Sequence, residues 1–304
     1  MPYSRVKHII PKPVLPIFRQ VRKKLRHMKW RLHTTFNKDI VTKRNIIEQL
    51  RSLGVKEGQD LMVHSSLSRI GFVEGGADTV LDALLETIGE TATLLLPAYP
   101  MKGSMLETMR DTTPFDIGLT PSTMGKITEA LRSRNQSIRS AHPTHSIVAM
   151  GPKAAMYVKN HHLSRSPCGP QSPFWLLAEY GGAILCLGTG IGKVTSHHII
   201  KDRNDYSPLR VFLPDVYTKS VRLTDGAIIE VDVLVHDPKL SALRMDNNRR
   251  LELEFLENMR KAGIVREGMI GNAASYLFSA ADLNALHMAR RSKGKNIYAP
   301  PKGC

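Results

Sequence analysis

Ala183-Ile-Leu-Cys-Leu-Gly188-Thr-Gly190-Ile-Gly192-Lys-Val-Thr195-Ser-His-His198 reads as a buried strand that runs into a glycine-spaced loop and then a helical turn. On a helix, Thr195 and His198 share a face and point back toward the loop. A Thr-x-x-His face at the mouth of a buried strand is a natural place for a general base. The same residues also suit a helix-capping threonine beside an ordinary surface histidine, and the stretch by itself leaves both open.

Upstream, the same alternation recurs. The spacing predicts a helix over Thr42–Leu53, with Ile46, Ile47, Leu50 and Leu53 on one side and Gly54 as its stop. Asp60-Leu-Met-Val-His64 reads as a strand, the segment opening at Ala77 as a helix through Ile88, and Thr93–Pro97 as the next strand. Between the first strand and its helix lie Ser65, Ser66, Leu67, Gly75 and Gly76, a pattern that suits an anion through free backbone N–H groups and the helix dipole. It matches neither the P-loop nor the dinucleotide fingerprint, so a plain connection stays open. Residues 98–121 read as a long polar loop. Thr120-Pro121-Ser122 is expected to cap a helix over Met124–Arg132 with proline at its first position. Ile147–Met150 is a strand. Downstream of the opening stretch, Val211–Leu213, Val221–Leu223 and Ile228–Val235 read as strands around the turn Thr224–Ala227, and Asn248–Ala262 as a helix. These elements predict a layered α/β domain around a mixed sheet, with an antiparallel excursion late in the chain.

The formal net charge of +16 suggests a nucleic-acid partner until it is located. Residues 1–38 hold eleven Lys and Arg and no Asp or Glu; taking those away leaves +5 for everything after Lys38. The body is thus close to balanced, and the basicity belongs to an arm. Within it Val14, Phe18, Val21, Leu25, Met28 and Leu32 recur at helical spacing, a basic amphipathic helix that suits an anionic membrane surface, a neighbouring subunit, or docking on the body. Nucleic acid is not the expected partner, and the sequence allows a homodimer without arguing for one. No apolar run reaches the length of a membrane span and no secretory signal is evident, so the expected setting is the cytoplasm, with the arm able to reach the inner face of the membrane. Cys168, Cys186 and Cys304 lack the spacing of a disulfide framework or a zinc site. His142-x-x-His145 lacks the helical frame of histidine zinc motifs, so no metal is expected.

Several motifs arrive in an order that resembles the aminoglycoside 3-N-acetyltransferase family. They are His64-Ser-Ser-Leu67 with Gly75-Gly76, Leu95-Leu-Pro97, Pro114-Phe-Asp116, Thr120-Pro-Ser-x-Met-Gly125 and Arg139-Ser-x-His-Pro-x-x-Ser146. Gly151-Pro152, Ser172-Pro173, Leu185-x-x-Gly188, Thr195-x-x-His198 and Gly271-Asn-Ala273 complete the series over roughly residues 40–290. The resemblance implies a three-layer α/β/α sandwich and transfer of acetyl from acetyl-CoA to an amine on a sugar-like ring. By motif, Ser65, Ser66, Leu67, Gly75 and Gly76 would contact CoA, with Ser122 and Met124 nearby. His198 would be the base, with Thr195 and His142 beside it. The expected organisation is a basic arm over 1–37, the acetyltransferase domain over 38–290 and a basic tail over 291–304.

The acceptor half departs from the family pattern. Lys201 stands where an acidic residue is frequent, with Asp202 one step later; Ile191 and Gly192 replace a His-Asp pair; and Ala98-Tyr99 replaces Thr-His. Tyr99 and Asp202 are the expected acceptor contacts. A weakly acidic acceptor site points to an aminosugar, nucleotide- or lipid-linked, as well as to an aminoglycoside. Cys168 is the one candidate for a covalent intermediate, and with no histidine assigned to it, direct transfer is expected. Two competing readings are a non-catalytic nucleic-acid or membrane-surface module using the arm, and a serine hydrolase, which the absence of a GxSxG elbow argues against.

Overall fold

All five residues of the run 183–187 are buried, in a strand that pairs on both sides. The computed structural model describes residues 40–101, 103–199 and 211–298; the expected arm helix, Lys201 and Asp202 lie outside them. The strands of the two larger sheets are β1 (Leu61–Ser65), β2 (Leu94–Pro97), β3 (Phe115–Asp116), β4 (Ile138–Arg139), β5 (Ile147–Met150) and β6 (Ala183–Leu187), then β7 (Phe212–Arg222), β8 (Ile228–His236), β9 (Arg266–Ile270) and β10 (Ala273–Ser279). The helices that cover them are α1 (Lys43–Leu53), α2 (Ala77–Ile88), α3 (Met105–Arg110), α4 (Lys126–Arg132), α5 (Pro173–Glu179), α6 (Arg249–Lys261) and α7 (Ala280–Arg291).

Among the described residues the main sheet has seven strands in the order β9-β10-β6-β1-β2-β5-β4. The three central strands run parallel, and the flanking pairs are antiparallel. Strand periodicity sorts its side chains into two cores. Leu61, Val63, Leu94, Leu96, Leu185 and Leu187 pack with α1, α2 and α4 on one face. Met62, Leu95, Ile184 and Cys186 pack with α5, α6 and α7 on the other. The result is the expected three-layer sandwich. Asp60, just ahead of β1, accepts hydrogen bonds from the Thr93 amide at 2.8 Å, the Tyr157 hydroxyl at 2.8 Å and the Lys153 ammonium at 3.1 Å. One carboxylate thereby ties β1 to β2 and to the helical layer beside them.

The antiparallel excursion is a second sheet, in the order β8-β7-β3. Its two long strands pair from Ile228↔Arg222 to His236↔Phe212 and bring Phe212 and His236 to one cavity with His145, Cys168 and His198.

Local details differ from the expectations. The loop over 98–121 contains α3 and β3; Ser104 and Glu107 form a capping box, the signal for a helix start that its length concealed. Helix α4 begins at Lys126 after Gly125, so Pro121 is not its first residue. Thr195–His198 is a 3-10 turn. Residues 266–279 form a hairpin around Gly271-Asn272, a dipeptide that suits a two-residue turn. Ile297 and Tyr298 are buried in the second core, and the Met245 amide donates to the Ile297 carbonyl at 2.9 Å.

Candidate active site

The carboxyl ends of β1, β2 and β6 share one edge of the sheet, where open α/β folds place their ligands. A cleft of about 320 Å³ opens there, lined by Ser65, Tyr99, Met124, His145, Thr195 and His198 among others. A smaller cavity adjoins it, sharing His145, His198 and Arg244 and adding Met105, Cys168, Phe212 and His236. His198, half-buried, lines both. In a 3-10 turn residues three apart eclipse, which carries Thr195 and His198 to the same side.

The loop holding them is pinned from behind. Gly188 leaves β6 at φ +71°, and a Cβ there would lie 2.8 Å from the Arg69 side chain and 3.3 Å from the Ser66 carbonyl, so glycine is required. Glu252 accepts from the Gly192 amide at 3.1 Å. His197 turns the other way, its Nε2 donating to the Ile191 carbonyl at 2.8 Å and its Nδ1 accepting from His287 Nε2 at 2.8 Å. With one ring nitrogen donating and the other accepting, His197 is committed to the core.

Tyr99, after β2, places its hydroxyl 2.5 Å from that of Thr195 and its ring 4.6 Å from His145. His142 is fully buried and is absent from the cleft lining; its Nδ1 accepts from the His145 amide at 3.2 Å, and its ring stacks on His161. His142 therefore shapes the turn, and His145 reaches the cleft in its place. His145 stood in the motif itself; spacing could not say which of the two histidines faces out. Sequence reasoning also missed His64, Arg244, Asp246 and His236. His64 was quoted only as a motif letter, although strand alternation puts it beside Met62 on the face opposite Val63. His236 accepts from the Tyr298 hydroxyl at 2.8 Å and donates to the Asp237 carbonyl at 3.0 Å, which leaves neither nitrogen free to act as a base.

Of the expected CoA residues, Ser65 and Met124 line the cleft. The other five are not among its lining residues. The Ser66 amide donates to the Leu187 carbonyl at 2.9 Å, and Leu67 packs on the first core. Gly75 and Gly76 lead into α2 at φ +74° and +69°, with no side-chain cap on that helix. The Ser122 hydroxyl accepts from the Met124 amide at 3.0 Å and so shapes the turn that presents Met124. Also in the cleft lining, Arg244 pairs with Asp246 at 3.1 Å, and Lys193 donates to the Asp246 carbonyl at 2.7 Å. Asp202 lies outside the described residues. Cys168 is buried, its thiol 3.6 Å from the Thr195 carbonyl.

The family model for aminoglycoside 3-N-acetyltransferase matches residues 62–290. The chain belongs to this family. It is 30% identical over 270 residues to aminoglycoside N(3)-acetyltransferase VII of Streptomyces paromomycinus, a match covering 80% of this chain and 88% of that one. Among solved structures, AAC-IIIb in a binary complex with CoASH superposes with a TM-score of 0.69 at 26% identity, covering 86% of this chain and 99% of its own. AAC-VIa bound to sisomicin gives 0.68 at 27% identity, covering 83% and 98%. The protein is an acetyl-CoA-dependent N-acetyltransferase. No helix among its described residues is long and apolar enough to cross a membrane.

In this acetyltransferase the Arg-Ser-x-His-Pro-x-x-Ser motif is a clamp. Buried Arg139 donates to the carbonyls of Ala98 and Thr120 and to the Ser146 hydroxyl, and lies over the Phe115 ring at 4.8 Å. Ser140 bridges the Ile147 amide and His161 Nδ1. The motif thereby sets the path of the backbone on either side of Tyr99 and His145.

Burial also holds His64 at about 3, His161 at about 3 and His197 at about 4. An unfolded histidine titrates near 6.5. The unfolded chain therefore takes up protons below that pH that the folded protein refuses. Stability is unaffected above about pH 6.5 and drains as pH falls toward 4, by about 1.4 kcal/mol per pH unit for each ring. Thermal unfolding followed by circular dichroism is expected to show Tm falling steeply between pH 6.5 and 5. A flat Tm over that interval would contradict three neutral buried rings.

Proposed function

We propose that this enzyme moves the acetyl group of acetyl-CoA directly to an amine on a sugar ring, with His198 as general base. The observation that carries the reading is a single cleft lined by His198, Thr195 and Tyr99 together with Ser65 and Met124, where the coenzyme and catalytic motifs of the family meet. Acetyl-CoA supplies an activated thioester carbonyl. The unblocked glycine turn into α2 offers backbone N–H groups to phosphate, and Asp78 in its first turn is held by Arg134 at 3.4 Å. His198 takes the proton from the acceptor ammonium, and the freed amine attacks the carbonyl carbon. A buried Cys168 with no base assigned to it favours direct transfer over an acyl-enzyme.

The acceptor class follows from charge. AAC-VIa is described with sisomicin, and a polycation of that kind calls for carboxylates. Here Asp246 is the one acidic side chain lining the cleft among the described residues, and it is paired with Arg244 beside Lys193. This balance favours an aminosugar of low or negative net charge over a polycationic aminoglycoside.

The test is thiol release from acetyl-CoA with a panel of aminoglycosides and nucleotide-linked aminosugars. Turnover is expected, faster with the second group; faster turnover with polycations would overturn the acceptor assignment, and no calorimetric binding of CoA would overturn the whole reading. Gly75→Val is expected to weaken CoA binding by about tenfold and to lower unfolding free energy by about 1–3 kcal/mol, read by calorimetry and urea denaturation. At Gly75 a Cβ meets the Thr79 hydroxyl at 2.3 Å in a backbone conformation that suits glycine.

A further inference from the structure

We propose that the Tyr99–Thr195 hydroxyl pair donates a hydrogen bond to the thioester carbonyl oxygen as it becomes an oxyanion, which makes Tyr99 a catalytic residue. The proposal rests on the acetyl-transfer reading above. It begins with a count of protons. Two hydroxyls 2.5 Å apart own two protons, and the bond between them uses one. Among the described residues neither hydroxyl bonds anything else, so one proton remains for a third partner. Both residues are nearly buried, at 7% and 8% exposure, yet both line the cleft that holds His198. The partner that fits is a ligand oxygen.

The pair is also held still, as a donor to a developing charge must be. The Tyr99 carbonyl accepts from the Thr123 amide at 2.8 Å and from the Thr123 hydroxyl at 3.1 Å. One residue back, the Ala98 carbonyl is gripped by Arg139 and by the Ser146 hydroxyl. Thr195 sits at the start of the pinned 3-10 turn, three residues from the base. Burial pushes the Tyr99 phenol well above its usual range, so it keeps its proton at working pH.

The step balances. The acceptor nitrogen, whose ammonium proton has passed through His198 to solvent, bonds to the carbonyl carbon, the C=O electron pair moves onto oxygen against the hydroxyl pair, and the second nitrogen proton passes to the again neutral His198. The oxyanion then re-forms C=O, the C–S bond breaks, and CoA leaves as the thiolate. The hydroxyl pair loses no proton over the cycle.

Tyr99→Phe is expected to lower kcat by about 10²-fold, the cost of one oxyanion donor, with KM for acetyl-CoA within about twofold of wild type. Thr195→Ser, which keeps the hydroxyl, should hold kcat within about fivefold, and Thr195→Val should fall with Tyr99→Phe. The decisive readout is the infrared carbonyl band of 13C-labelled acetyl-CoA bound to the full-length enzyme without acceptor. In the wild type it should lie below the band of free acetyl-CoA, and Tyr99→Phe should move it back upward, a shift that a merely structural tyrosine would not produce. An unmoved band, or an unchanged kcat, overturns the proposal. If Tyr99→Phe fails to fold, the same band in Thr195→Val against Thr195→Ser decides. Failure of the wild type to bind acetyl-CoA would instead overturn the acetyl-transfer reading, so the two failures are distinguishable.

Discussion

His198→Ala is expected to cost about 10²–10⁴ in kcat while leaving CoA affinity nearly intact, the range for loss of a general base. The reason is position. His198 lines both cavities, which suits the proposed role toward the acceptor amine, whereas Ser65, the proposed coenzyme contact, lines only the larger one. The neighbouring histidines do not substitute. His197 is bonded at both nitrogens in the core, and so is His236 beside the site. His64 and His197 stay neutral above about pH 5, held at about 3 and about 4 by burial, so neither can produce a limb in the neutral range. The kcat/KM profile should show an acidic limb that His198→Gln removes, alongside a limb from the acceptor amine itself. Stopped-assay thiol release across pH would check this. Equal activity of His198→Ala and wild type would shift the role to His145, and loss of CoA binding would make His198 a binding residue.

The second large effect is expected at Arg139. Arg139→Ala strips a donor from the carbonyls of Ala98 and Thr120 and from Ser146 in a dry interior, and removes the cation lying over Phe115. The Ala98 carbonyl keeps the Ser146 hydroxyl, so the main acceptor left unpaired is the Thr120 carbonyl, at roughly 1–3 kcal/mol, and with the packing over Phe115 also lost a decrease of about 3 kcal/mol in unfolding free energy is expected. Burial draws the guanidinium down to about 10, which still leaves it charged at neutral pH. Activity should fall with stability, because the backbone freed at Ala98 carries Tyr99. Arg139→Lys should recover less than half of either, since a point ammonium cannot serve acceptors spread around a planar fork. Urea denaturation with parallel kcat measurements tests both parts. A change below about 1 kcal/mol with normal kcat would show that the clamp contributes nothing.

Much of this was already legible along the chain. Continuous apolar runs such as Ala183–Leu187 demand cover on both faces, and the strand-helix alternation from Thr42 to Pro97 implies parallel strands. Thr195 and His198 lie on one side of the 3-10 turn, because a separation of three keeps side chains together in either kind of helix. Where local spacing settled nothing, the reading failed. In the Arg139–Ser146 motif, His142 and His145 are equivalent as letters, and only packing against His161 and Tyr99 turns one inward and the other into the cleft. The capping box at Ser104 was overlooked because α3 has only six residues, too few to show periodicity.

What the sequence determined by itself was therefore the layered α/β architecture and the family, because these rest on periodicity and on motifs within a few residues. The tertiary structure alone decided which side chains meet. Tyr99 and Thr195 are 96 residues apart in the chain and share a hydrogen bond. His64, Arg244 and Asp246 come from opposite ends of the domain to line one cleft. Such contacts form only when the central strands fall into register and the β7–β8 hairpin folds back, and no local pattern records a distance across a sheet.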